Sequence, residues 1–303
     1  MGRALSYLIS LGLIWGSGYS IARYAMTHGV PALGYAFWQT WGPALFLLLV
    51  LSYKRMGLSL NPRTMGFYLT TGALGIALPN TVMYIVAAHL PAGILAVVVN
   101  TSPIFTYILA WSFKQERFYW LRVLGVLSCM IGLLITTLPQ AQLPAPHKTA
   151  WILLALISPL SFATCAIITS KFRPSELNST NLSCGMLLSA GIIITPIVFW
   201  EGAFFPLTPP FHITHAIIVL EIALSSLGYI IFFELLRHAG PVYYSTVGGL
   251  VALTGLAWGQ ILFDERFPPL INIAVLCILL GIVCVSLKFK AYTQIEPANS
   301  ISD

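Results

Sequence analysis

Polar positions in this chain are gathered into short breaks, and the stretches between them are apolar nearly all round, without the one-faced periodicity of a helix lying on a soluble core. Uninterrupted apolar windows fall at residues 4–26, 33–52, 65–88, 91–112, 119–137, 150–171, 180–200, 214–236, 241–263 and 269–287. Each is close to the ~20 residues that carry a helix across ~30 Å of hydrocarbon at ~1.5 Å per residue. The pattern predicts ten transmembrane helices and an all-α, polytopic membrane protein. The first window follows Met1-Gly2-Arg3 and runs on too long for a signal peptide, so it reads as an uncleaved span. The last residues, 291–303, with Pro297, Asn299 and Ser300, read as a short disordered tail.

Composition agrees with the pattern. Of 303 residues, 58% are hydrophobic and 8% charged, and the mean hydropathy is +0.87. A water-exposed surface needs far more charge, which excludes a cytosolic enzyme, a secreted disulfide scaffold and a nucleic-acid-binding domain. The net charge of +6 is spread singly over many loops, so it reports topology and no nucleic-acid partner is expected. With the N-terminus in the cytoplasm, that side receives Arg3, Lys54, Arg55, Arg63, Lys114, Arg117, Arg122, Lys171, Arg173, Arg237, Lys288 and Lys290, and the other side only Arg23, Lys148 and Arg266. The bias predicts cytoplasmic N- and C-termini and supports ten spans, since one helix more or fewer would scramble it. The five cysteines lie inside apolar windows without C-x-x-C or Cys/His spacing, so neither metal nor cofactor is expected and they read as packing residues.

The chain also repeats. At an offset of 149, Glu116-Arg117-Phe118 falls on Glu265-Arg266-Phe267, His89 on His238 and Gly132 on Gly281. This divides the chain into a first five-helix unit at 1–137, a linker at 138–149 and a second unit at 150–290. Five is odd, so the second unit enters the membrane from the opposite side. The halves are then related by an axis in the membrane plane, as in secondary transporters that alternate between two open states.

Trp15-Gly16-Ser17-Gly18 in the first span, Leu90-Pro91-Ala92-Gly93 before the fourth, Asn100-Thr101-Ser102-Pro103 within it, and a Glu-Arg after spans four and nine resemble the EamA family of the drug/metabolite transporter superfamily. The resemblance covers residues 4–288 and both repeats. It implies ten helices around a central cavity, and a carrier of amino acids, other metabolites or toxic compounds, often outward, in a bacterial cytoplasmic (inner) membrane. Ala252 stands where the first half has Pro103, a departure from the family pattern.

A pathway across the bilayer needs polar and aromatic groups at mid-depth, where they are costly against lipid. The candidate substrate-binding residues are Trp15, Tyr19, Trp38, Asn80, Tyr84, Asn100, Phe162 and Tyr229. Many nearby Ser, Thr and Gly residues equally suit close helix packing. Gly125 and Gly132 match Ala274 and Gly281 as a small face on spans five and ten, suited to contact within the chain or to a homodimer. Two acids fall within spans, Glu221 and Glu234. Both are proton-coupling candidates, although Glu234 has Arg237 three residues on and Glu221 shows no evident local partner. Glu116 and Glu265 read as structural.

No phosphate loop or nucleotide domain exists to supply ATP drive, and no H-E-x-x-H, D-D-x-x-D or G-x-S-G supports an intramembrane enzyme. The expectation is therefore a secondary transporter, monomer or homodimer, for a small amphipathic metabolite such as an amino acid, as a proton-coupled carrier or a facilitator. A membrane assembly partner or a lipid scramblase is the alternative.

Overall fold

The structure, a computed structural model, describes residues 2–87, 89, 98–99, 101–116, 118–137, 149–263 and 270–292. Arg117, Glu265, Arg266, Asn100, the linker at 138–148 and the tail from 293 lie outside the described residues. Every regular element among those described is helical: α1 Gly2–Thr27, α2 Ala32–Tyr53, α3 Pro62–Gly72, a π turn at Ala73–Ala77, α4 Leu78–Ala87, α5 Ser102–Ser112, α6 Trp120–Thr137, α7 Thr149–Ala155, α8 Ile157–Phe172, α9 Ser179–Trp200, α10 Ile213–Ser245, α11 Val247–Phe263 and α12 Leu270–Tyr292. The stretches Gly2–Thr27, Ala32–Tyr53, Thr149–Phe172, Ser179–Trp200 and Ile213–Ser245 are long and apolar enough to cross a membrane, and shorter apolar helices lie at Trp120–Ile135, Val247–Ile261 and Asn272–Val285. Local signals set several starts. Asn61 and Asn178 cap α3 and α9 by accepting from Thr64 N at 2.7 Å and Asn181 N at 2.9 Å.

Proline stands at three interruptions of the helices, two within spans and one between them. Pro159 cannot donate to the carbonyl four residues back, and the sixth span divides at Leu156 into α7 and α8. Pro79 follows the π turn that widens the third span, and α8 stitches this region: Ser161 Oγ donates to Leu74 O at 2.7 Å and Ser158 Oγ to Pro79 O at 3.0 Å. At Gly240, φ is 77°, a conformation open to glycine, and Pro241 then begins the first turn of the ninth span.

The inversion is written into the contact between α6 and α12. Ser128 Oγ donates to Cys277 O at 2.7 Å, and these residues are 149 apart, the repeat offset itself. A Cβ on Gly125 would come within 2.9 Å of Gly281 O, and one on Gly132 within 2.7 Å of Ala274 O. As the first number rises the second falls, so the helices run antiparallel. Applying the offset turns one contact into the other, as a two-fold axis through Ser128 and Cys277 requires. The small face therefore packs within the chain. The core continues through Leu133, Ile278 and Val285 into Phe233 and Leu235 of α10.

At the α5–α6 connection Glu116 pairs with Arg122, which is buried. Burial pushes the Glu116 carboxyl above its ordinary range, and the Arg122 guanidinium opposes that shift. This is a structural ion pair.

Candidate coupling and substrate site

Glu221 enters the membrane on α10, eight residues from its start, or about 12 Å along the axis. It is 4% exposed. Gln39 Nε2 of α2 donates to Glu221 Oε1 at 3.0 Å, and Ser225 Oγ, one turn along α10, donates to the same oxygen at 2.7 Å. The Tyr35 hydroxyl lies beside the carboxyl. Gly18 of α1 closes the third side, with the space for its Cβ lying 3.7 Å from both carboxylate oxygens. Among the described residues no basic side chain forms an ion pair with Glu221. The carboxyl is thus anchored through one oxygen by two neutral donors, one from its own helix and one from α2.

About two turns further along α10 an aromatic wall begins. The Trp15 ring meets Tyr229 edge-on at 6.1 Å, Tyr244 edge-on at 6.3 Å and Phe232 at 6.2 Å. Gly228 makes room for it, since a Cβ there would lie 2.8 Å from Trp15 Nε1. Trp15 and Gly18 are one turn apart on α1, so one helix face carries both the indole and the gap beside the carboxyl.

The end of the span nearest Glu221 is covered by residues 203–207. A Cβ on Gly34 would meet Ala203 O at 2.6 Å, so this strap lies against the start of α2. Trp38 Nε1 donates to Phe205 O at 2.7 Å, Phe204 stacks on Phe199 at 5.3 Å and meets Phe37 edge-on at 5.2 Å, and Phe205 approaches His215 at 5.6 Å.

Of the residues singled out from sequence, the structure brings Trp15 and Tyr229 into ring contact, with Glu221 about two turns away along α10. Trp38 belongs to the strap. Asn80 and Phe162 are half-buried and make no side-chain hydrogen bond or ring contact among the described residues. Tyr19 and Tyr84 lie in α1 and α4, but their side chains, like the whole of Asn100, are outside the described set. Glu234 sits thirteen residues beyond Glu221, about 20 Å away along the helix. It is fully engaged there: it pairs with Arg237, accepts from Ser179 Oγ and has His238 Nδ1 at 3.5 Å. Arg173 ties the same end by donating to Phe233 O at 2.8 Å and Ser179 Oγ at 3.0 Å. Sequence reading missed Tyr35, Gln39 and Tyr244. Glu221, expected to lack a local partner, has one in Ser225, which the i, i+4 spacing could have indicated, and Gln39 is an intramembrane amide of the same kind as Asn80.

The model of the EamA-like transporter family matches this chain twice, over residues 2–138 and 149–287. Protein PecM of Dickeya dadantii is 24% identical over 198 residues, 64% of this chain and 64% of PecM. An uncharacterized transporter of Archaeoglobus fulgidus is 21% identical over 179 residues, 57% of this chain and 61% of that protein. The matches therefore span a little under two thirds of each relative's length. A solved protein structure superposes with a TM-score of 0.75 at 14% identity, covering 96% of this chain and 99% of that one, a likeness of fold.

Proposed function

The chain belongs to the EamA-like transporter family, and on that footing we propose that it is a secondary transporter working by alternating access, with Glu221 as its proton-carrying group. Its substrate is a small amphipathic metabolite, an amino acid or related compound, moved outward across a bacterial cytoplasmic membrane. The observation that carries the reading is the buried carboxyl of Glu221, hydrogen-bonded by Gln39 and Ser225, without an ion-pair partner among the described residues and about two turns from the Trp15–Tyr229 wall. Such a group is expensive in a membrane, which makes it a candidate for function. Glu234, held in an ion pair and a hydroxyl contact, suits a structural role at the other end.

The wall supplies apolar faces, which suit a compound with an aromatic or aliphatic body. Protonation of Glu221 removes its charge during the exchange of states, and its return to water on one side of the membrane links flux to the pH gradient. The test is counterflow and net flux of a mixture of the twenty amino acids in proteoliposomes. Glu221→Gln is expected to abolish accumulation driven by a pH gradient and to leave downhill flux within about two-fold of wild type. Wild-type flux that ignores an imposed pH gradient would instead make the protein a facilitator.

A further inference from the structure

The repeat supplies an internal control for the Glu221 site. Subtracting the offset of 149 places Gly72 where the second half has Glu221; adding it places Leu188 for Gln39 and Cys184 for Tyr35. Among the described residues the equivalent crossing of α3 and α9 in the other half shows no polar side-chain bond across it. A Cβ on Gly72 would lie 2.6 Å from Met186 O and 2.9 Å from Ala190 N of α9. The fold thus closes this crossing with small and apolar residues when left to packing alone, and the Glu221–Gln39 bond is an addition to one of two equivalent places.

Gln39 also sits beside the strap's anchor. Trp38, its neighbour, holds Phe205 O, while Gln39 holds Glu221 Oε1. Consecutive residues of one helix therefore grip the cover of the site and the carboxyl beneath it. The groups facing Glu221 are Gly18 from α1, Tyr35 and Gln39 from α2, and Ser225 and Tyr229 from α10. The tyrosines are the only titratable ones among them. His215, six residues before Glu221, is turned away, with its Nδ1 on His212 N at 3.0 Å.

We propose that Gln39 is the positioning residue of the proton site: its amide holds the Glu221 carboxyl in place and sets the pH at which that carboxyl exchanges its proton. The inference rests on the reading of Glu221 as the proton carrier. A glutamine amide can serve both forms, because its N–H donates to a carboxylate and, turned over, its carbonyl accepts from the acid. The two bonds are unequal, since a hydrogen bond to the charged form is the stronger. Gln39 therefore favours release of the proton, and its loss must move the exchange to higher pH.

The experiment is an infrared titration of the full-length protein in lipid, following the carboxylic-acid C=O band that disappears in Glu221→Gln. Gln39→Met keeps the side-chain volume and removes both bonds. Gln39→Leu installs the residue that the other half uses at the equivalent crossing, and covers the case in which the first variant is poorly produced. Either is expected to shift the band in frequency and to move its titration midpoint up by about one pH unit, with the pH profile of flux moving alike. A midpoint within about 0.3 unit of wild type would overturn the role of Gln39 while leaving Glu221 as the carrier. Absence of any pH-dependent band that Glu221→Gln removes would overturn the proton site itself.

Discussion

The indole of Trp15 is held by what lies opposite it. Gly228 leaves the space that the ring fills, and Tyr229, Phe232 and Tyr244 surround the rest. Trp15→Ala is expected to cut flux about ten-fold or more with membrane abundance near wild type, whereas Gly228→Val, which drives a branched side chain into the indole, should lose both. Flux assays normalised to purified protein separate the two. Trp15, Tyr229 and Glu221 were legible because each is a costly side chain at membrane depth. Gln39 escaped because its partner is 182 positions away and no local pattern marks the contact. Trp38 carried the same signal as Trp15, and no local pattern marks that its indole N–H reaches a loop carbonyl 167 positions away.

Elements were easier to read than their interruptions. Hydropathy placed the spans because a helix in lipid must be apolar all round, and the repeat predicted which small faces match. What hydropathy could not show is that Pro79 and Pro159 bend two spans that then share hydroxyl-to-carbonyl bonds, because those bonds exist only once the spans are side by side. The α6–α12 contact yields the sharpest prediction at this scale. A leucine at Gly132 or Gly281 meets backbone on the facing helix, at 2.7 Å and 2.6 Å respectively for the first added carbon. Each substitution should cost ~1–3 kcal/mol and lower both abundance and the thermal midpoint of the solubilised protein. Gly66→Leu is the control, since nothing lies within 4 Å of the added Cβ. Equal loss in all three variants would mean that the two-fold contact carries no special weight.

At the scale of the whole molecule, the antiparallel contact of α6 and α12 makes the two halves inverted copies, and ten spans put both termini on one side. The distribution of Lys and Arg predicts the 203–207 strap outside the cell and the 173–178 connection inside. Cysteines introduced at Pro206 and Ser175, both exposed, test this on a background lacking the five native cysteines. An impermeant maleimide should label position 206 in intact cells and position 175 only after permeabilisation. The ends differ in chemistry as well: aromatic rings and one indole bond cover the Glu221 end, and the Arg173–Ser179–Glu234–Arg237 network ties the other. An alternating-access cycle has to release these two closures in turn, and a carboxyl lying between them can answer to each side in sequence. The most direct measurement is of proton movement itself, in proteoliposomes loaded with a pH-sensitive dye and given a mixture of the twenty amino acids on one side. Wild-type protein should change the internal pH as solute moves, and Glu221→Gln should move solute downhill with no pH change; solute movement without any pH change in the wild type would contradict the account.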